Sequence, residues 1–243
     1  MNLTPRQTQI LKAIVEEYID TAGAVGSEAL DKKYSLGVSP ATIRNEMALL
    51  TNGGFLKQPH TSAGRVPTSM ALKFYVEHLM QEKKLSVGET VRAKESVWDV
   101  RGDSDRLMRE AALVLAEHTG NLSLIATDEG DTYYAGTANL LDKAEFFDID
   151  VMRHVLALLD QKAKLKGLFY DGREFDSSVH VVFGADLNWP FFDTVGMAFS
   201  HFPMNRSHVG TLGVIGSCRM NFPYIIPVIR HYSQLMGEFA NNW

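Results

Sequence analysis

The hydrophobic positions of the N-terminal part of the chain follow a helical period. Thr4-Pro5-Arg6-Gln7 forms a capping box with proline at the first helical position. Ile10, Leu11, Ile14, Val15, Tyr18 and Ile19 then share one face, which predicts a helix ending near Thr21-Ala22-Gly23. Ser27 caps a short helix over 28–33 with Leu30 facing in, and 34–38 is a turn between hydrophobic anchors. A third helix spans 39–50. Ser39 caps it, Pro40 occupies its first turn, and Ile43, Met47 and Leu50 recur at i, i+4 and i+7. Ala41, Arg44, Asn45 and Ala48 lie on the opposite arc, with Thr42 at its edge, and Gly53-Gly54 ends the helix.

After Gly54 the pattern becomes extended. Residues 55–60 read as a strand, 61–64 as a turn and 65–67 as the return strand, with Pro59 and Pro67 restricting this to a short edge-type hairpin. Its tip is expected to offer His60, Thr61, Ser62 and Arg65, with Gly64 free to adopt a positive φ. Thr68 caps a helix expected to run to about residue 85, with Leu72, Tyr75, Val76, Leu79 and Met80 as its stripe. Residues 86–103 are polar and read as an irregular linker. The organisation predicted is therefore 1–85, a linker at 86–103, and a second domain over 104–243.

In that second domain, helical spacing predicts helices over 104–118, 151–164 and 222–239. Strands are expected at 122–126, 165–170, 179–183, 191–202 and 209–216, and 133–141 begins strand-like before turning into Ala-Asn-Leu-Leu. This is an α+β pattern, a mixed sheet flanked by helices.

Charge sharpens the picture. The net charge of −5 divides into +2 over residues 1–73 and −7 over 74–243. Between 39 and 73 stand Arg44, Lys57, Arg65 and Lys73 against one acid, Glu46. A local basic patch on an acidic body suits a regulated DNA binder. No run of ~18 apolar residues occurs, so no membrane span is expected. The first residues lack the pattern of a secretory leader. A single cysteine, Cys218, excludes an internal disulfide and suits a reducing cytoplasm.

Enzymatic chemistry finds no constellation. Gly210, Gly213 and Gly216 are spaced G-x-x-G-x-x-G, which is neither a dinucleotide fingerprint nor a P-loop, and close strand packing accounts for them better. Ser217-Cys218 lies outside any nucleophile elbow, and a buried structural cysteine is the simpler reading. The eight histidines show no zinc spacing. Asp148 and Asp150 fit a helix start better than an acid–base pair. No catalytic, cofactor or metal residue is expected.

Three helices, a turn before the third and a hairpin after it form a winged helix-turn-helix pattern. In it, Ser39, Thr42, Arg44 and Asn45 of the third helix face a major groove, where Arg can fork onto guanine and Asn onto adenine. Lys57, His60, Thr61, Ser62 and Arg65 belong to the wing, for phosphate contact, with a minor groove open to Arg65.

These residues also carry a resemblance. VGS at 25–27, VSPATIRNEM at 38–47 and QPHTSAGR at 58–65 closely resemble the N-terminal domain of the heat-inducible repressor family HrcA. Residues 209–229, VGTLGVIGSCRMNFPYIIPVI, and 134–146, YAGTANLLDKAEF, resemble later segments of that family. Where the family tends to have Pro-Thr before Arg-Met and an acid after, this chain has Ser217, Cys218 and Asn221. The family usually carries on the order of a hundred residues, a typical domain length, between the counterparts of 104–118 and 134–146. Here a handful fill that gap. The resemblance implies a GAF-like second domain, shortened and without the family's inserted dimerisation module. It also implies a repressor of chaperone operons that binds an inverted-repeat operator as a homodimer, with chaperonin as a partner that keeps it active. Two other readings stand beside it: a small-molecule-responsive regulator using the GAF-like domain as sensor, and an enzyme or chaperonin-interaction module that has lost operator function.

Overall fold

The computed structural model describes residues 3–170, 178–204 and 208–240. The chain divides into two compact units, Met1–Gln81 and Glu82–Trp243.

The first unit begins with α1 (Pro5–Thr21), α2 (Ser27–Lys33) and α3 (Pro40–Asn52). The capping box at Thr4 and Gln7 is complete, because Thr4 Oγ1 accepts from the Gln7 N–H while the Gln7 side chain accepts from the Thr4 N–H. Ile10, Leu11 and Ile14 of α1, Leu30 of α2, and Ile43, Met47 and Leu50 of α3 meet in one buried core. A two-stranded antiparallel hairpin follows, β1 (Leu56–Lys57) against β2 (Val66–Pro67).

The next element departs from expectation. The predicted helix to residue 85 is a short α4 (Ser69–Phe74) that widens into a single π turn, Tyr75–Leu79, and stops at Met80 in extended conformation. The Met80 N–H donates to the Tyr75 carbonyl at 2.8 Å. Gln81-Glu82-Lys83-Lys84 follows with no apolar side chain to bury, so nothing holds the helix together past Met80.

The second unit opens with α5 (Val87–Trp98), where an irregular linker was expected. Ser86 and Glu89 build a capping box, and Ala93 and Val97 are buried one turn apart. Then come α6 (Ser104–Thr119), β3 (Leu122–Thr127), β4 (Thr132–Ala135) and two 3₁₀ turns at Thr137–Asp142 and Ala144–Phe147. They are followed by α7 (Ile149–Asp160), α8 (Lys162–Tyr170), β5 (Val179–Phe183), β6 (Val195–Pro203), β7 (Val209–Ser217) and α9 (Phe222–Ala240). Residues 165–170, expected as a strand, belong to α8. The chain breaks at Gln161 (φ −92°, ψ 66°), and Leu165, Leu168 and Phe169 then bury one helical face. The strand expected from residue 191 starts only at Val195, because Phe191 sits at φ 63° in the preceding turn.

The five strands run in the order β4-β3-β7-β6-β5 and are antiparallel throughout, rather than the mixed sheet expected. Helices cover both faces. On one side Leu122, Leu124, Met197 and Phe199 join Val155 of α7 and Phe169 of α8 in a core cluster. The Phe169 and Phe199 rings meet edge to face at 4.9 Å. On the other, Ser200 of β6 hydrogen-bonds Ser233 of α9 at 3.2 Å. Double coverage explains why β3, β6 and β7 are buried almost end to end. It also explains Gly213, paired with Leu124 and Phe199 in the central strand. A Cβ there would lie 2.4 Å from the Ala198 carbonyl oxygen. Gly210 and Gly216 are packed as tightly. Cys218 is buried, and Asp148 caps α7 by accepting from the Asp150 N–H at 2.9 Å. No helix of the described residues is long and apolar enough to cross a membrane.

Candidate nucleic-acid interface

The candidate surface is built on α3. With Ile43, Met47 and Leu50 turned inward, Ala41, Arg44, Asn45 and Ala48 are left exposed. Ser39 Oγ accepts from the Thr42 N–H at 3.3 Å and shares a hydrogen bond with Thr42 Oγ1 at 3.1 Å, so both hydroxyls cluster at the helix start. Glu46, the acid of this helix, is turned toward α1. It accepts from Gln7 Nε2 at 3.1 Å and sits 3.8 Å from Arg6. Two further acids of the unit are paired with a lysine. Lys33 lies 2.6 Å from Glu17 and 3.2 Å from Asp20, and these partners raise its pKa. Among the described residues Arg44 has no ion pair or hydrogen bond, so its guanidinium stays available to an outside acceptor.

The hairpin stands beside this face. Gln58 Nε2 donates to the carbonyls of Thr61 and Ala63 at 2.9 and 3.0 Å, which staples the turn and leaves His60, Thr61 and Ser62 exposed at its tip. Lys57 is exposed on β1.

Arg65 is not at the tip, as expected, but near the hairpin's base. Its backbone pairs with Val25 in both directions (2.8 and 2.9 Å), and its Nε donates to Thr51 Oγ1 of α3 at 3.1 Å. The pairing with Val25 pulls it there and leaves it half-buried. Gly64 is likewise required for a different reason than the one expected. Its φ is not positive. Instead the Val25 carbonyl oxygen lies 2.3 Å from where a Cβ would stand.

A cleft of about 350 Å³ lies between the start of α2, α3 and the hairpin. Arg44, Gln58, Thr61, Ser62 and Arg65 line it. Four of the nine expected residues therefore converge, two guanidinium groups and two hydroxyls on one concavity. Ser39, Thr42, Asn45, Lys57 and His60 lie outside this lining. Gln58 and Thr51 were not among the expected residues. The signal for Gln58 was its place before Pro59 at the mouth of a turn, where a side-chain amide can substitute for ladder bonds. Thr51 gave no local signal, because its partner is fourteen positions away.

The profile of the HrcA protein C terminal domain matches residues 71–226, more than half of the sequence. The heat-inducible transcription repressor HrcA of Thermomicrobium roseum is 48% identical over 125 residues, which is 51% of this chain and 36% of that protein. The Chloroflexus aggregans protein of the same name is 46% identical over 122 residues, 50% of this chain and 32% of its own length. This chain thus spans about a third of the first relatives it matches. The Carboxydothermus hydrogenoformans protein of that name aligns at 25% identity over 337 positions and 98% of both chains. Because 337 exceeds the 243 residues here, that relative carries segments without counterpart in this chain. A crystal structure described as that of a hypothetical protein superposes with a TM-score of 0.78 over 99% of both chains at 17% identity, which supports the fold. On the match over 71–226, this chain belongs to the HrcA family.

Proposed function

We propose that this chain is a DNA-binding transcriptional repressor of heat-shock genes, with α3 in the major groove and the hairpin as a wing on the backbone. The observation that carries the reading is the open Arg44/Asn45 face of α3, set beside a cleft lined by Arg44, Arg65 and two hydroxyls. Arg and Asn have the bidentate geometry that base edges require, and a cleft with two guanidinium groups suits phosphate. Ser39 and Thr42 lie at the helix N-terminus, where recognition helices approach bases. Lys57, His60, Thr61 and Ser62 supply backbone contacts.

One recognition helix reads only a few base pairs, so specificity calls for two copies on an inverted repeat. The named relatives are heat-inducible repressors, which points to an operator before chaperone genes. The family resemblance adds chaperonin as the partner that sustains activity, and a cytoplasmic setting. The ligand-sensor reading is less well supported, since Leu124, Val155, Phe169, Met197 and Phe199 fill the sheet face that a ligand would need.

The test is fluorescence anisotropy with a labelled duplex from the region before the chaperone genes, against a scrambled duplex of equal length. Binding at least about a thousandfold tighter to the genuine duplex is expected. Equal affinity for both would refute the reading.

A further inference from the structure

Helix α5 buries one face through Ala93 and Val97 and exposes another that is also apolar. Val87 is 80% exposed, Val91 46% and Trp98 43%. With Lys94 between them, these residues recur at spacings of four, three and four, the interval of a helix–helix seam. Val91, Lys94, Glu95 and Trp98 line a shallow groove of about 350 Å³. Trp98 is held in place. Its ring meets Phe239 edge to face at 5.9 Å, and the Arg101 guanidinium lies 4.0 Å over it. An exposed, oriented tryptophan is the kind of side chain that anchors an interface.

We propose that this stripe docks the α5 of a second copy of the chain, antiparallel, about a two-fold axis passing between Val91 and Lys94. The proposal rests on the two-copy reading above and says where the copies meet. Three observations select this occupant. First, four-three-four spacing is its own reverse. An antiparallel copy in register therefore sets Val87 against the opposing Trp98 and Val91 against the opposing Lys94 stem. Second, the shapes complement each other. Beside Val87 stands Gly88, which has no side chain of its own; the atom nearest to where a Cβ would stand is the tip of the flexible Arg92 side chain, at 3.7 Å, which can swing aside for the opposing indole. Third, the charges complement each other. Lys94 and Glu95 rim the groove with opposite signs. In this register each Lys94 faces the opposing Val91. The opposing Glu95 lies four residues, about 6 Å, further along the axis, within reach of a lysine.

Three apolar side chains and two charged stems give a contact well below the ~800 Å² per partner of a standard interface. Pairing is thus weak for the free protein and becomes strong when one duplex holds two copies side by side.

Sedimentation velocity on the full chain, up to about 1 mM and with the operator-region duplex, tests this. The expected result is reversible dimerisation with a Kd on the order of 100 μM. Trp98→Glu, Lys94→Glu and Glu95→Lys should each weaken it by about tenfold or more, and Lys94→Glu/Glu95→Lys should restore it to within about threefold. The charge variants are on the surface, so the test survives if Trp98→Glu misfolds. A dimer unmoved by all four variants overturns the stripe but leaves the two-copy reading standing, as does a failure of the double reversal to restore pairing. A monomer to 1 mM with one copy per duplex overturns both.

Discussion

Arg65 Nε donates to the hydroxyl of Thr51 at 3.1 Å and thereby ties the hairpin to α3. The bond links the residue just before β2 to the last turn of α3, so the two DNA-facing elements of the proposed interface are held in one frame. It also fixes a cation in the cleft that Arg44 lines.

The first prediction concerns that bond. Arg65→Ala should weaken binding to all duplexes alike and reduce the slope of log affinity against log salt by about one. Thr51→Val keeps the cation but removes its tie to α3, so it should cost about 1 kcal/mol of binding while leaving the salt slope near wild type. Anisotropy titrations at several salt concentrations separate the two.

Arg44 and Asn45 should behave differently. Arg44→Ala is expected to cost about 1–3 kcal/mol on the operator and little on scrambled duplex, and Asn45→Ala similarly at a different base pair. Titrations against a set of single-base operator variants would show a relaxed preference at one position for each substitution. An equal loss on every duplex would assign Arg44 to phosphate instead.

Gly213 tests the sheet. Its place between Leu124 and Phe199 leaves no room for a methyl group, and the nearest obstacle is backbone. Gly213→Ala should destabilise the second unit by about 1–3 kcal/mol or more. Trp98 and Trp189 both lie in that unit, so urea unfolding followed by tryptophan fluorescence reads it directly.

Glu145 supplies a pH dependence. It accepts from Ser217 Oγ at 2.8 Å and from Arg219 through both Nε and a terminal nitrogen, in a site largely shielded from water. Burial raises its pKa, but hydrogen bonds from Arg219 and Ser217 outweigh burial and hold it below the ordinary 4.5. The ionised form therefore stabilises the second unit at pH above about 4.5, and this is lost as pH falls below that value through the lowered folded-state pKa. Glu145→Gln removes the carboxylate that faces the Arg219 guanidinium and should cost roughly 3 kcal/mol at pH 7. In urea melts the gap between variant and wild type should narrow as pH drops below about 4.5. A gap constant from pH 7 to 3.5 would contradict this account.

Much of the fold could be read from the sequence where caps and periodicity agree. Thr4 with Gln7 marks α1, Ser39-Pro40 marks α3, and the run of Val, Leu and Ile among glycines marks β7. Helix α5 escaped because only Ala93 and Val97 are buried, among charges that made 86–103 look like a linker. Residues 165–170 escaped because a short apolar run has no period long enough to tell a buried helix from a strand. At the candidate site, the i, i+4, i+7 stripe was enough to put Arg44 and Asn45 outside. Arg65 was misplaced because its position depends on Val25, forty residues earlier, and that pairing leaves no local trace.

The central claim, that the outward face of α3 reads duplex DNA, is tested most directly by genome-wide binding of the purified protein to fragmented DNA at moderate salt. The account predicts a small number of enriched sites, each containing an inverted repeat and lying before chaperone genes, and their loss in the Arg44→Ala/Asn45→Ala variant. Uniform occupancy without enrichment, or an enrichment pattern that the double variant reproduces, would contradict it.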